Sequence, residues 1–196
     1  PESASSILRD HKINLAWHQV TSQGGNAEIS NVLSTVSGTN VISPTWFSVT
    51  GNDGTISSLA NTEYATAVHT AGNEVWGLID NFNTEVDMLQ VLSSSNARQN
   101  IISQLLSYAQ SAPMDGINVD FEQVTEEEAP HYLQFVRELT LQAHSQNLVV
   151  SVDVPVPKSF NEHYNLGELG AFADYVIMMG YDEHYRGSEE AGSVAS

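Results

Sequence analysis

The sequence predicts an α/β fold, a (β/α)8 TIM barrel of which the chain covers about six βα units as a single domain over residues 1–196. Three observations carry that expectation. Short β-branched or apolar runs alternate with stretches of helical period, the pattern of βαβ units around a parallel sheet. The runs begin near residues 13, 41, 74, 117, 148 and 175, and their spacings bracket the roughly 31 residues per unit of a barrel that closes eight units in about 250. Finally, the Gly-rich phosphate loop that a doubly wound sheet places after its first strand is missing. Gly24-Gly25 comes too late after Trp17 and lacks the G-x-G-x-x-G spacing.

In chain order, strands are expected at 12–17, 41–49, 74–80, 116–122, 148–156 and 175–182, each a short run rich in Val, Ile, Leu or aromatic residues. Helices are expected between them at 27–36, 62–71, 97–112 and 127–146, with a short one at 166–173. Thr125 with Glu128 three residues on reads as a capping box opening the fourth helix, although Pro130 sits late for a first turn. Gly72 and Gly170 fall where helices should end. On this count the barrel stops after its sixth strand, and the C-terminal units are absent. No linker or low-complexity segment divides the chain.

Charge narrows the function classes. Six Lys+Arg against 24 Asp+Glu give a formal net charge of −18, which disfavours nucleic acid and anionic membrane surfaces as partners. No run approaches the roughly 18–20 apolar residues of a membrane helix, so no membrane insertion is expected. With no cysteine, disulfides, thiolate nucleophiles and Cys-ligated zinc are excluded together. Polarity that comes from Ser, Asn and Thr rather than Lys leans towards a secreted surface. The chain opens at Pro1 without a Met or a signal peptide, as a mature product or an excised piece would.

The most informative segment is Asp115-Gly116-Ile117-Asn118-Val119-Asp120-Phe121-Glu122. Side chains alternate faces along a strand. Asn118, Asp120 and Glu122 therefore share one face, and Ile117, Val119 and Phe121 take the other. The apolar set suits the surrounding helices, so the polar set points into the barrel and climbs towards its C-terminal mouth. Carboxylates stacked in a core are expensive unless they are paired or functional. With six basic residues in the chain, and none on a proposed strand interior except Lys12 at an edge, pairing is the weaker explanation.

That octad resembles the D-G-x-D-x-D-x-E signature of glycoside hydrolase family 18, the chitinase-like (β/α)8 enzymes. Met178-Met179-Gly180-Tyr181-Asp182 resembles the M-x-Y-D that the same family carries on strand six. The two motifs fall on the strands that the spacing numbers four and six. The nearest likeness is to the bacterial spore-germination, cortex-lytic glucosaminidases, which share D-G-x-N-x-D-F-E, Tyr181-Asp182-Glu183-His184 and the tail from Ala191 to Ser196. The sequence departs from the family at Asn118, where Asp is usual. It departs again at Gly77-Leu78-Ile79-Asp80-Asn81, where chitinases often carry S-x-G-G.

The resemblance implies a retaining hydrolase whose nucleophile is the substrate's own acetamido oxygen. Glu122 is then the general acid/base, and Asp120 orients and stabilises the acetamido group. Tyr181 donates its hydroxyl to the acetamido carbonyl. Asn118, Asp182, Met179 and Trp17 line the sugar site, with Met179 packing beneath the ring. The Asn118 amide is expected to donate to Asp120, and two close carboxylates help keep Glu122 protonated. The implied partner is a GlcNAc-containing polysaccharide, peptidoglycan of the spore cortex or chitin. A monomer, secreted and associated with cell wall or spore, is implied with it. A chitooligosaccharide hydrolase and a non-catalytic chitinase-like lectin remain the alternatives, though lectins of that kind usually lose the acid Glu, and Glu122 is present.

Other residues carry weaker signals. Trp17 and Trp46-Phe47 are candidate stacking platforms, but an aromatic on a strand is more often core. His18 follows Trp17 and is a candidate for the cleft wall. His69, His131, His144 and His163 lack H-E-x-x-H or H-x-H spacing, so neither a metal nor any other cofactor is expected. Glu126-Glu127-Glu128 reads as a solvated helix start, and there is no G-x-S-x-G elbow.

Overall fold

The structure, a computed structural model, describes residues 7–156 and 162–179. Its strands are β1 (Leu15–His18), β2 (Val41–Pro44), β3 (Phe47–Val49), β4 (Ile56–Ser58), β5 (Glu74–Asp80), β6 (Gly116–Asp120), β7 (Val149–Pro155) and β8 (Tyr175–Met179). Between them run α1 (Ile29–Thr35), entered through a 3₁₀ turn at Gly24–Glu28, then α2 (Thr62–Thr70), α3 (Met88–Ser93), α4 (Ser95–Ser111), α5 (Ala129–His144) and α6 (Leu166–Phe172). The order across the sheet is β1-β2-β5-β6-β7-β8, every pair parallel. These are the six strands read from the sequence.

Two contacts show that the sheet is curled. Trp17 on β1 donates its indole N–H to Asn118 on β6 at 3.0 Å, and the Trp76 ring on β5 lies 5.5 Å from that of Tyr175 on β8. Each pair is three strands apart in the sheet order. A flat sheet would hold them about 14 Å apart at roughly 4.8 Å per strand. The strands therefore follow the arc of a (β/α) barrel. The helices cover its outer face, where Ile42, Val75, Ile79, Ile117, Val119, Val150, Val152 and Val154 join one continuous core.

Local chemistry explains where elements begin. Asn61, Asp87, Ser94 and Asn165 each accept from the backbone N–H three residues on, capping α2, α3, α4 and α6. The predicted capping box forms, with Thr125 N–H donating to Glu128 Oε2 at 3.1 Å and Glu128 N–H to Thr125 Oγ1 at 3.2 Å. It closes a turn just ahead of α5, so the helix starts at Ala129 and Pro130 lies in its first turn, where proline is tolerated. Gly72 ends α2 at φ +82°, as expected. Gly170 does not end a helix. It lies inside α6, which continues to Phe172, whose ring takes the Arg137 guanidinium at 5.5 Å.

Three differences from the sequence reading share one cause, which is competition among short elements. The expected strand at 41–49 breaks at Pro44-Thr45-Trp46. Its first part pairs with the lower half of β5 and its second with the upper half. A short antiparallel partner, β4, returns beside β3. The short α3 precedes the expected third helix; its buried face of Met88, Val91 and Leu92 is too brief to show a period.

The base of the barrel is apolar and clamped. Val41, Trp76 and Val149 form a small cluster with Ile7, Ile13, Leu15 and Tyr175. Gly116 makes room for it, since a Cβ there would stand 2.8 Å from the Trp76 ring. The Arg9 guanidinium grips both Glu74 carboxylate oxygens beneath. Two carboxylates then repeat one device. Asp115, the first residue of the octad, accepts from Val75 N–H at 2.8 Å and meets His69 at 2.7 Å. Asp174 accepts from Val150 N–H at 2.8 Å and meets His144 at 2.9 Å. Each ties the foot of one strand to the helix before it. Asp115→Ala strands the Val75 amide, so it should cost about 1–3 kcal/mol in urea unfolding at unchanged m-value. An unaltered midpoint would show that the clamp does not hold the base.

Candidate active site

Alternation divides the inward side chains into layers of rising polarity. Above the apolar base lies a hydrogen-bonded layer of Trp17, Ser43, Asn118 and Ser151. Above that stands a row of carboxylates, Asp80 on β5, Asp120 on β6 and Asp153 on β7. Asp80 pairs with Asp120 in the strand register, and Val119 pairs with Val152 one step below Asp120 and Asp153. The three carboxylates therefore stand side by side at one height, with Glu122 one step higher at the rim.

Asn118 is wholly buried and uses its whole amide. Its Oδ1 accepts from Trp17 Nε1 at 3.0 Å and from Ser43 Oγ at 3.3 Å. Its Nδ2 donates to Ser151 Oγ and to Asp153 Oδ1, both at 2.8 Å. The expected donation to Asp120 is thus not made, because both amide protons are taken by β7. This leaves two buried oxygens, Asp120 Oδ1 and Asp153 Oδ2, without a partner among the described residues.

Glu122 lies two residues past the end of β6, and side-chain chemistry substitutes for the missing ladder. Asn81 Nδ2 donates to the Glu122 carbonyl, and the Glu122 N–H donates back to Asn81 Oδ1, each at 2.9 Å. The chain then turns through Gln123 at φ 53°. On the opposite face Phe121 stacks on Phe135 of α5 at 5.4 Å. The acid is therefore held on both sides, by an amide clamp from β5 and by an aromatic anchor behind it.

Electrostatics follow from this crowding. Burial, the charges of Asp153 and Glu122, a hydrogen bond with Glu122 and the charge of Asp80 push the Asp120 carboxyl up to about 8. Burial and Glu122 raise Asp153 to about 7, against the opposing pull of the Asn118 amide and the Trp17 indole. No basic side chain among the described residues relieves them. The ion pairs among the described residues engage Glu74, Asp10, Asp115, Glu138 and Asp174 instead. The crowding of carboxylates therefore favours the protonated form of Asp120.

Among the described residues, clefts open on two sides of the sheet. One of about 570 Å³ opens between the edge strands β1 and β8, from Leu8 and Arg9 at the base to Trp17 at the rim. Another of about 270 Å³ lies over the ends of β3 and β5, with Asp80 and Phe82 in its wall. Neither of these two walls includes Asp120 or Glu122.

The structure thus brings Asn118, Asp120, Glu122 and Trp17 together as read from the sequence. Trp17 is 47% exposed; its indole edge is tied inward and its ring stays open to the cleft. Met179 falls on the Tyr175 and Ile177 face of β8, while Met178 turns outward and is 57% exposed. Tyr181 and Asp182 lie outside the described residues. His18 does not line the cleft. Alternation turns it to the helix side, where Nδ1 meets the Tyr64 hydroxyl at 2.8 Å, and burial lowers its pKa. Trp46 is core, its Nε1 donating to Asn26 at 2.8 Å. Asp153, Asn81, Asp80 and Ser151 were not singled out from the sequence. The signal for Asp153 was present: a carboxylate at the inward phase of the run Val149-Val150-Ser151-Val152-Asp153-Val154.

The family model described as Glycosyl hydrolases family 18 matches residues 39–196. The chain is 30% identical over 135 residues to the uncharacterized glycosylase YvbX of Bacillus subtilis, covering 63% of this chain and 39% of that protein. It is 28% identical over 145 residues to the cortical fragment-lytic enzyme of Bacillus anthracis, covering 69% and 34% respectively. It therefore spans well under half the length of these curated relatives. Among solved structures, a chitinase of Chromobacterium violaceum superposes with a TM-score of 0.71 at 22% identity, covering 88% of this chain and 57% of that one. At that identity the likeness concerns the fold.

Proposed function

The chain belongs to glycosyl hydrolases family 18, and from that premise we propose that it cleaves β-1,4 linkages of a GlcNAc-containing polymer, foremost peptidoglycan of the spore cortex, by a retaining, substrate-assisted route. The observation that carries this reading is the row of inward carboxylates Asp80, Asp120 and Asp153 with Glu122 at the barrel mouth, where burial and like charge raise Asp120 and no basic side chain among the described residues stands beside it. Such a group of acids retains a proton more readily than free carboxyls do, and no basic partner among the described residues accounts for it.

The chemistry follows. The acetamido carbonyl oxygen attacks the anomeric carbon while the glycosidic C–O bond breaks, its electron pair passing to the leaving oxygen. Glu122 delivers the proton that this oxygen takes. Asp120 accepts from the acetamido N–H as the group closes to an oxazolinium ion, and its own proton moves to the Glu122 side. Water then adds at the anomeric carbon, giving its proton to Glu122, and the bond to the acetamido oxygen opens. Trp17 and the 52%-exposed Phe82 offer apolar faces to sugar rings on either side. Tyr181 and Asp182 contribute a hydroxyl and a carboxylate to the acetamido group and a sugar hydroxyl. The name of the Bacillus anthracis relative supports cortex over chitin, and with it a secreted or spore-associated location.

Mass spectrometry of products from spore cortex, vegetative peptidoglycan and chitin tests the substrate. Muropeptides with intact stem peptides and new reducing ends are expected. Release from chitin alone would move the assignment to chitooligosaccharides, and binding without cleavage of any polymer would make the protein a lectin. The route is tested by N-deacetylated polymer, which should be cut at least about 100-fold more slowly, because removing a positioned internal nucleophile forfeits its effective molarity. A GlcNAc-thiazoline should compete with substrate. Equal rates on acetylated and deacetylated polymer would place the nucleophile on the protein.

A further inference from the structure

The octad leaves a carboxylate off strand four at Asn118, and the structure holds one on the neighbouring strand, one layer above Asn118 and beside Asp120. Asp153 on β7 is 1% exposed, at the same height as Asp120, with its Oδ1 fixed by the Asn118 amide. Its Oδ2 and Asp120 Oδ1 are the two carboxylate oxygens buried without a partner among the described residues. A buried carboxylate is ordinarily satisfied by a cation or by several donors. Here the Asn118 amide holds one edge of Asp153, and Asp153 and Asp120, side by side on adjacent strands, each keep one buried oxygen without a partner among the described residues.

We infer that Asp153 is a positioning residue that shares a proton with Asp120 across the β6–β7 pair and thereby sets the protonation state of the Asp120–Glu122 unit. A proton on either acid satisfies an orphaned oxygen of the other, so one proton settles two buried groups, whereas two anions at that spacing repel. Asn118 makes the arrangement directional. Having given its amide protons to Ser151 and Asp153, it has none left for Asp120. At the far end of the same network Trp17, open to the cleft, donates to the Asn118 carbonyl.

The other groups bearing on Asp120 among the described residues are Glu122 on its own strand, Asp80 on β5 and the Tyr132 hydroxyl from α5, whose pKa is raised by burial, then by Tyr164 and the two aspartates. Two of these are carboxyl groups, and none of the described residues around Asp120 is basic. Removing the Asp153 charge therefore lowers the pH at which the Asp120–Glu122 unit loses its proton, and returning a charge at position 118 raises it.

The kinetic part of this inference rests on the proposed glycosidase reading; the titration does not. With ¹³C-labelled aspartate, the Asp120 and Asp153 carboxyl resonances of the native protein should both report the same two midpoints, as coupled sites do. Independent single-step titrations would overturn the inference without any variant and whatever the substrate. In Asp153→Asn the Asp120 midpoint should fall by about a unit or more, and the alkaline limb of the kcat–pH profile should fall with it. The exchange Asn118→Asp/Asp153→Asn should restore both towards native values. A kcat lowered equally at every pH, with the Asp120 midpoint unmoved, would reduce Asp153 to a structural role. Wild-type inactivity on every GlcNAc polymer with coupled titration intact would overturn the glycosidase reading and leave the proton-sharing pair standing.

Discussion

Glu122→Gln should lower kcat by at least about 10²–10⁴ while leaving oligosaccharide affinity within a few fold. The argument is geometric first. Glutamine matches glutamate in shape, and the backbone at 122 is held by Asn81 through two 2.9 Å hydrogen bonds that do not involve the substituted side chain. Phe121 remains stacked on Phe135 behind it. The variant therefore keeps the rim and the apolar faces of Trp17 and Phe82, and loses only the transferable proton. Affinity by calorimetry and turnover of the same oligosaccharide separate the two effects. Near-full turnover in the variant would remove Glu122 from the mechanism. Loss of affinity along with rate would mean that the carboxylate grips the ground state, and Asn81→Ala would then be expected to mimic it.

How much of this was legible without coordinates depended on period. The inward face of β6 could be read because Asn118, Asp120 and Glu122 recur every second residue among apolar partners. The same rule, applied to Val149–Pro155, places Ser151 and Asp153 inward. It gave no site there because a single carboxylate in a valine run matches no motif, and its meaning lies in the residue opposite. Asn81 was illegible for another reason: its bonds to Glu122 join residues 41 apart and replace a ladder that β6 stops short of making. His18 and Asn118 failed in the detail that sequence leaves free. His18 sits at the mouth but in the outward phase, and Asn118 had two directions in which to give its protons, of which β7 supplied the better acceptors. The broken second strand follows from Pro44, which lacks an N–H for the ladder.

Asp120→Asn should trade activity for stability, with a sign that depends on pH. Burial and three neighbouring carboxylates raise Asp120 from an ordinary aspartate value to about 8, and Asp153 rises to about 7. Between about pH 4 and these values the native state binds more protons than the unfolded chain, so stability falls as pH rises through that window. Below about pH 4 both states are protonated and the two groups cost nothing. Above about pH 8 the full penalty of burying their charge is present. An amide at 120 removes one of these charges, and its N–H₂ is a donor for the orphaned Asp153 oxygen. At pH 8 the variant should therefore be more stable than the native protein by about 1–3 kcal/mol, a melting temperature roughly 2–10 °C higher. At pH 4–5 the difference should shrink to a fraction of that. Over the same range kcat should fall by about 10²–10³, because a neutral amide stabilises the developing oxazolinium charge poorly. Calorimetric scans at pH 4.5 and pH 8, with turnover on one substrate, measure both. A variant no more stable than the native protein at pH 8 would show that the Asp120 charge is relieved by something other than a proton. Retained activity would show that the raised carboxyl is a feature of the core and not of the reaction.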